Sequence, residues 1–205
     1  MRGGRVIATR RDEGKYQAIL RAAISVMARS GYHNAQISRI AKAAGVADGT
    51  VYLYFKNKED VLISLIRDGI NKIIQQCERE LVPELDARAK LERIISLYFR
   101  ELNGDPDFAT VSQVYLRQVD ANIRRQIGDI MKPFNDILDA TVNQGVAEGQ
   151  FPADINRRIA RRMVFGTMDE TVTAWVLTGS KYDLEALASD VVKLLLNGLT
   201  GTSGK

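Results

Sequence analysis

Apolar residues recur at three- and four-residue steps along almost the whole chain, and no stretch keeps the strict alternation of a half-buried strand. The pattern predicts helices over 12–30, 37–44, 48–54, 57–81, 87–103, 107–117, 122–148, 154–178 and 184–198. Three of the four prolines sit in turn-like text, LVPELD, NGDPDF and GQFPAD, and mark breaks near 83–86, 103–107 and 149–154. Pro133 falls instead inside 122–148, where Ile123, Ile127, Ile130, Phe134, Ile137, Leu138 and Val142 recur. A proline there removes a backbone hydrogen bond and is expected to kink the helix. The first three helices are short and crowded and the later ones long. The expected architecture is all-α: a three-helix N-terminal module over 1–56, a larger helical body over 57–200, and a Gly-rich flexible end at 201–205.

Composition narrows the chemistry. Of 205 residues 45% are hydrophobic and 26% charged, an ordinary globular balance that argues against disorder. Cys77 is the sole cysteine and His33 the sole histidine, so an internal disulfide and a zinc site of the usual kind are both excluded. No apolar run approaches the roughly 18 residues of a membrane span. The basic start, MRGGRVIATRRDEG, lacks a signal-peptide core. A soluble, cytoplasmic protein is expected.

Charge is divided unevenly. Residues 1–60 carry eleven Lys and Arg against five Asp and Glu, a balance of +6; residues 61–205 carry eighteen against twenty, or −2. A basic head on a slightly acidic body points to a polyanion such as nucleic acid. The competing reading is a solvated basic tail, since Arg2, Arg5, Arg10 and Arg11 supply four of those charges.

The stretch ISRIAKAAGVADGTVYLYF, 37–55, separates these readings. Ile37, Ile40 and Ala41 form one apolar stripe, and Gly45 suits a left-handed helix end. A second short helix then presents Val51 and Phe55 at i, i+4, while Ile19, Ala22, Ala23, Val26 and Met27 give a supporting helix its inner face. Two short helices joined by a Gly-containing turn are the signature of a helix-turn-helix. Asn57 reads as an N-cap with Asp60 at N3. Lys58 in the first turn opposes the helix dipole, for which an external anion is one reason. Ser38 sits at a helix start, where phosphate binds readily. Asp48 either accepts from a base edge or caps its own helix.

The text GYHNAQISRIAKAAGVADGTVYLYFKNKEDVL, beginning at Gly31, resembles the DNA-binding domain of TetR-family transcriptional repressors, most specifically in TVYLYFKNKEDVL, 50–62. VADGTVYLYFKNKEDVLISL, LRQ at 116–118 and RMVFGTMDETVTAWV at 162–176 are similar to the fatty-acid-degradation repressors within that family. The resemblance implies that Ala47, Asp48 and Gly49 face base edges, that Thr50, Tyr52 and Lys58 contact phosphates, and that Tyr54 reaches bases or backbone. It also implies that 154–178 and 184–198 pair across a homodimer. Ile159, Gly166, Thr173 and Leu177 fit one side of that seam and Val191, Leu194 and Leu195 the other. An intramolecular core explains the same periodicity.

The implied effector is a long-chain acyl-CoA, with no further cofactor. Apolar wall candidates are Phe99, Leu102, Val111, Phe134, Leu138, Phe165 and Met168. Tyr115, Arg117, Gln118, Arg124 and Arg161 are candidates for the CoA end, since arginine suits bidentate phosphate binding. A solvated face paired with Asp120, Asp129, Asp136 and Asp154 accounts for the same arginines. The expected function is a dimeric repressor that binds a palindromic operator and leaves it when acyl-CoA binds. The alternative is the same scaffold sensing another hydrophobic molecule, such as a drug. An enzyme is disfavoured, because no Ser–His–Asp set, P-loop or dinucleotide motif is present. A ligand-free architectural DNA binder would not need so bulky an apolar body.

Overall fold

The computed structural model describes residues 4–115 and 121–197, with side chains from Glu13 onward apart from Val114 and Tyr115. The described residues form nine α-helices and no strand: α1 (Gly4–Asn34), α2 (Ile37–Ala44), α3 (Asp48–Tyr54), α4 (Lys58–Glu80), α5 (Ala87–Gly104), α6 (Pro106–Tyr115), α7 (Ala121–Ala147), α8 (Arg157–Leu177) and α9 (Ala188–Asn197), the last preceded by a 3-10 turn at Glu185–Leu187. The all-α expectation holds. α2 and α3 span the residues expected of them, and α1 breaks at Gly31, whose φ of 71° only glycine adopts easily. α8 starts three residues later than periodicity implied, because Asn156 caps it by accepting from the Ile159 N–H at 3.1 Å. α7 runs from Ala121 to Ala147 without interruption at Pro133, which lies exposed on its outer side.

Ile19, Ala23 and Met27 of α1 close over Ile40, Ala41, Val51 and Phe55, all buried. Gly45 ends α2 in the left-handed region at φ 69°, and the Val46 N–H reaches back to the Ala41 carbonyl at 3.0 Å. That apolar cluster continues without a gap into the body along Val61, Leu62, Leu65, Ile66, Ile70 and Ile73 of α4. At its heart α5 buries Leu91, Ile94, Ile95, Leu97, Tyr98, Phe99 and Leu102. The start of α5 is held by Asp86, which accepts from the Ala89 N–H, and by Glu148 and Gln150 from beyond the end of α7, which accept from the Ala87 and Arg88 N–H groups at 3.1 Å. Cys77 is wholly buried on α4, and burial pushes its thiol up to about 12. It lies nineteen residues beyond Lys58 along α4, about 28 Å of helix, whereas His33 lies at the end beside Lys58. A Cys–His pair is therefore absent.

α4 and α6 meet at Gly69, where an added methyl would overlap the buried Phe108 ring. Gly69→Ala is expected to cost about 1–3 kcal/mol through overpacking, despite the higher helix propensity of alanine. Thermal unfolding measures the balance; an alanine variant as stable as the parent would mean that Phe108 moves freely.

Candidate nucleic-acid interface and effector body

The head presents α3 by its leading edge. Ala47 occupies the N-cap with no side-chain cap bond, and Asp48 is the first helical residue, so the capping alternative for Asp48 falls away. Ala47, Asp48 and Gly49 are exposed, with open space where a Gly49 side chain would project. Thr50 is half-buried, and Tyr52 is 56% exposed. Tyr54, two residues on, turns inward: its ring packs 6.3 Å from Tyr16, which in turn stacks on Phe55 at 5.2 Å. Tyr54 is half-buried, so part of it stays at the surface of α3. Leu53 is a further outward side chain of α3, 82% exposed, as its offset of two from the buried Val51 requires.

Ser38, Asp48, Tyr52 and Lys58 line one open cleft of about 450 Å³ between the start of α2 and α3, together with Gln36 and Asn57. Asn57 caps α4 as expected: its Oδ1 accepts from the Asp60 N–H at 2.9 Å, and Asp60 accepts from the Lys56 N–H at 2.9 Å. Lys58 has a partner that sequence spacing did not reveal. Its Nζ donates to the carbonyls of Tyr32 at 2.8 Å and His33 at 3.1 Å, and stands 4.4 Å from the Tyr32 ring centroid. A lysine at this helix start thus needs no external anion, since it satisfies the carbonyl end of α1. Two of the three ammonium protons are engaged there. Lys58→Ala is expected to lower stability by about 1 kcal/mol and to weaken operator and random DNA alike. The slope of log affinity against log salt should become shallower by about one ion. Salt titrations on both DNAs check this, and an unchanged slope would leave Lys58 with its structural role alone.

In the body, Phe99, Leu102, Val111, Phe134, Leu138 and Met168 are fully buried and Phe165 half-buried. Phe134 stacks on Tyr98 at 5.8 Å, and Phe165 meets both edge-on at 6.3 and 6.4 Å. An apolar hollow of about 180 Å³, which α7 reaches at Val142 eight residues beyond Phe134, is lined by Leu91, Val142, Phe151, Val164 and Leu196 among others. The side chain of Tyr115, and Arg117 and Gln118 entirely, lie outside the described residues. Arg124 is exposed. Arg161 is half-buried with its Nε 3.0 Å from Asp139 on α7, so it ties α7 to α8, and Asp139 was not among the partners expected. Asp136, one of the carboxylates of the solvated-face alternative, pairs with Lys132 on its own helix at 2.6 Å.

α8 buries only Val164, Met168, Val172 and Trp175, and turns a second apolar stripe outward. Ile159, Met163 and Leu177 are 46%, 58% and 81% exposed, Gly166 lies between them, and Leu194 of α9 is also exposed. Leu195 is half-buried. Of the other residues expected on the seam, Thr173 is half-buried and Val191 buried within the single protomer. Thr173 Oγ1 lies 2.8 Å from Gln113 Oε1 of α6 and 2.9 Å from the Asp169 carbonyl, two acceptors that share its single hydroxyl proton, and Val191 packs against the body.

Residues 19–65 match the bacterial regulatory proteins of the tetR family, and residues 66–198 match the C-terminal region of YsiA-like proteins within it. The chain belongs to the TetR family of transcriptional regulators. It is 46% identical to the fatty acid metabolism regulator protein of Bacillus subtilis over 185 residues, 90% of this chain and 95% of that one. Its fold matches the crystal structure of the transcriptional regulator FadR from Bacillus subtilis in complex with stearoyl-CoA, with a TM-score of 0.87 and 45% identity, covering 90% of this chain and all of the other. The fatty acid degradation regulator FadR from Bacillus halodurans matches with a TM-score of 0.86 at 43% identity over the same shares. Among the described residues, no helix is long and apolar enough to cross a membrane.

Proposed function

We propose that the chain is a cytoplasmic, homodimeric repressor of fatty-acid-degradation genes, bound to a palindromic operator when empty and released by long-chain acyl-CoA. The observation that carries the effector is the likeness, over nine-tenths of the chain, to a regulator crystallised with stearoyl-CoA. Residues 1–56 act as the DNA-binding module and 57–200 as the sensing and dimerising body. α3 enters the major groove by Ala47, Asp48 and Gly49, the small residues permitting close approach. Thr50, Tyr52, Ser38 and the remaining Lys58 proton hold the flanking phosphates, which fix register without reading sequence. Tyr54 supports α3 from behind.

The acyl chain runs among Phe99, Leu102, Val111, Phe134, Leu138, Phe165 and Met168, and extends toward the apolar hollow beside Val142 and Val164. Arg124, with Tyr115, Arg117 and Gln118, receives the CoA phosphates; Arg161 joins them by exchanging Asp139 for phosphate. Two copies pair through the outer stripe of α8 with α9, which places the recognition helices on half-sites about one turn of DNA apart or slightly more.

A titration of operator-bound protein with stearoyl-CoA, free CoA and stearate tests the reading. Release is expected with stearoyl-CoA alone at low concentration, and longer acyl chains should act more strongly by about 0.8 kcal/mol per buried methylene. Free CoA as effective as the acyl form, or no release by any of the three, would hand the function to a repressor of a different hydrophobic ligand.

A further inference from the structure

Consecutive residues in the first turn of α4 grip opposite parts of the chain. Lys58 holds the Tyr32 and His33 carbonyls at the end of α1. Glu59 turns the other way, and its Oε1 accepts from Asn122 Nδ2 and from Gln126 Nε2, both at 3.2 Å. Asn122 and Gln126 lie four apart at the start of α7 and so share one helix face. Arg125 Nη2 donates to Asn122 Oδ1 at 3.0 Å, which leaves the Asn122 amide nitrogen turned toward the carboxylate. The charge of Glu59 is felt in the head as well: the Tyr32 hydroxyl is pushed up first by burial and then by the Glu59 carboxylate.

Apolar packing between α4 and α7 resists separation but has little direction. Hydrogen bonds from two amides to one carboxylate oxygen are directional and charge-assisted, and fix how α7 registers on the start of α4. Gln126 lies eight residues before Phe134, about 12 Å along the same helix, so a displacement beside the aromatic cluster is carried along α7 to this junction.

We propose that the Glu59 carboxylate, gripped by Asn122 and Gln126, is the positioning contact through which the state of α7 reaches the DNA-binding head. The proposal rests on the reading of the chain as an effector-released repressor. A ligand that shifts α7 carries the amide pair with it. Glu59 follows, then the first turn of α4, then the end of α1 through Lys58. Without the junction, effector still binds the body but moves the head less, because only apolar packing then joins α7 to α4.

The test compares the wild type with Glu59→Ala, the Asn122→Ala/Gln126→Ala pair and Glu59→Gln, whose Oε1 still accepts. The DNA is an operator fragment selected by the wild-type protein from a random-sequence pool. Stearoyl-CoA should bind all four DNA-free proteins. The factor by which saturating stearoyl-CoA weakens operator binding should fall about five-fold or more in Glu59→Ala and in the pair, and largely return in Glu59→Gln. A second measurement needs no effector. Nitroxide labels at exposed Ala43 of α2 and Glu92 of α5, introduced as cysteines, report the head-to-body distance, and its distribution should broaden in the pair. An unchanged release factor in every variant overturns the proposal. If stearoyl-CoA fails to release the wild type, the effector reading falls and the distance measurement decides the junction: a broadened distribution supports it, an unchanged one overturns it.

Discussion

A Gly166→Leu protein is expected to sediment as a folded monomer with poor operator affinity. In the single protomer Gly166 is exposed, with nothing within 4 Å of where its side chain would begin, so leucine meets no obstacle there. Replacing a mid-helix glycine with a good helix former should even favour α8 within the protomer. The cost appears only when a second copy packs across the stripe of Ile159, Met163 and Leu177. Two-fold symmetry then brings two leucines into one seam, each overpacking it by about 1–3 kcal/mol. Two half-sites cannot be engaged together by a monomer, so operator binding falls far more than random binding. Unchanged circular dichroism with a halved sedimenting mass is the expected signature. A variant that remains a tight dimer would place the interface on another face.

Gly166 shows what periodicity can deliver. A glycine between outward apolar residues on a long helix is visible in one dimension, because the helix repeat fixes which residues share a side. The width of the stripe is not visible in the same way. Spacing puts Thr173 on the outer stripe but does not reveal that its hydroxyl meets Gln113, sixty residues away on α6. More of the head is legible, since Gly45, Val51, Phe55, Asn57 and Asp60 act within one or two turns of their own positions. The contacts of Tyr54 and Lys58 within the protomer are not legible in the same way, because their partners come from α1. Tyr16 takes the Tyr54 ring, and carbonyls 25 and 26 residues back take the lysine. The amides on Glu59 come from still further away in sequence. Local chemistry is written in local text, whereas contacts between helices depend on how the body closes.

Phe134→Ala is expected to lower stability by about 3–5 kcal/mol and, at the same time, to lengthen the acyl chain that releases DNA best. The ring is fully buried between Tyr98 and Phe165, so its loss leaves a cavity that the stacked neighbours fill only in part. Destabilisation alone would follow for any core phenylalanine. The chain-length response separates a core residue from a wall of the effector site. If the acyl chain passes Phe134, the vacated space accepts further methylenes, each contributing about 0.8 kcal/mol once buried. Ligand bound only to the folded state then restores part of the lost stability, more with a longer chain than with a shorter one. Two readouts are needed: thermal unfolding with and without acyl-CoA of graded length, and operator release by the same series. A variant that loses stability but keeps the wild-type chain preference would make Phe134 plain core. The effector would then run elsewhere in the body, and the hollow beside Val142 and Val164 would be the next place to cut.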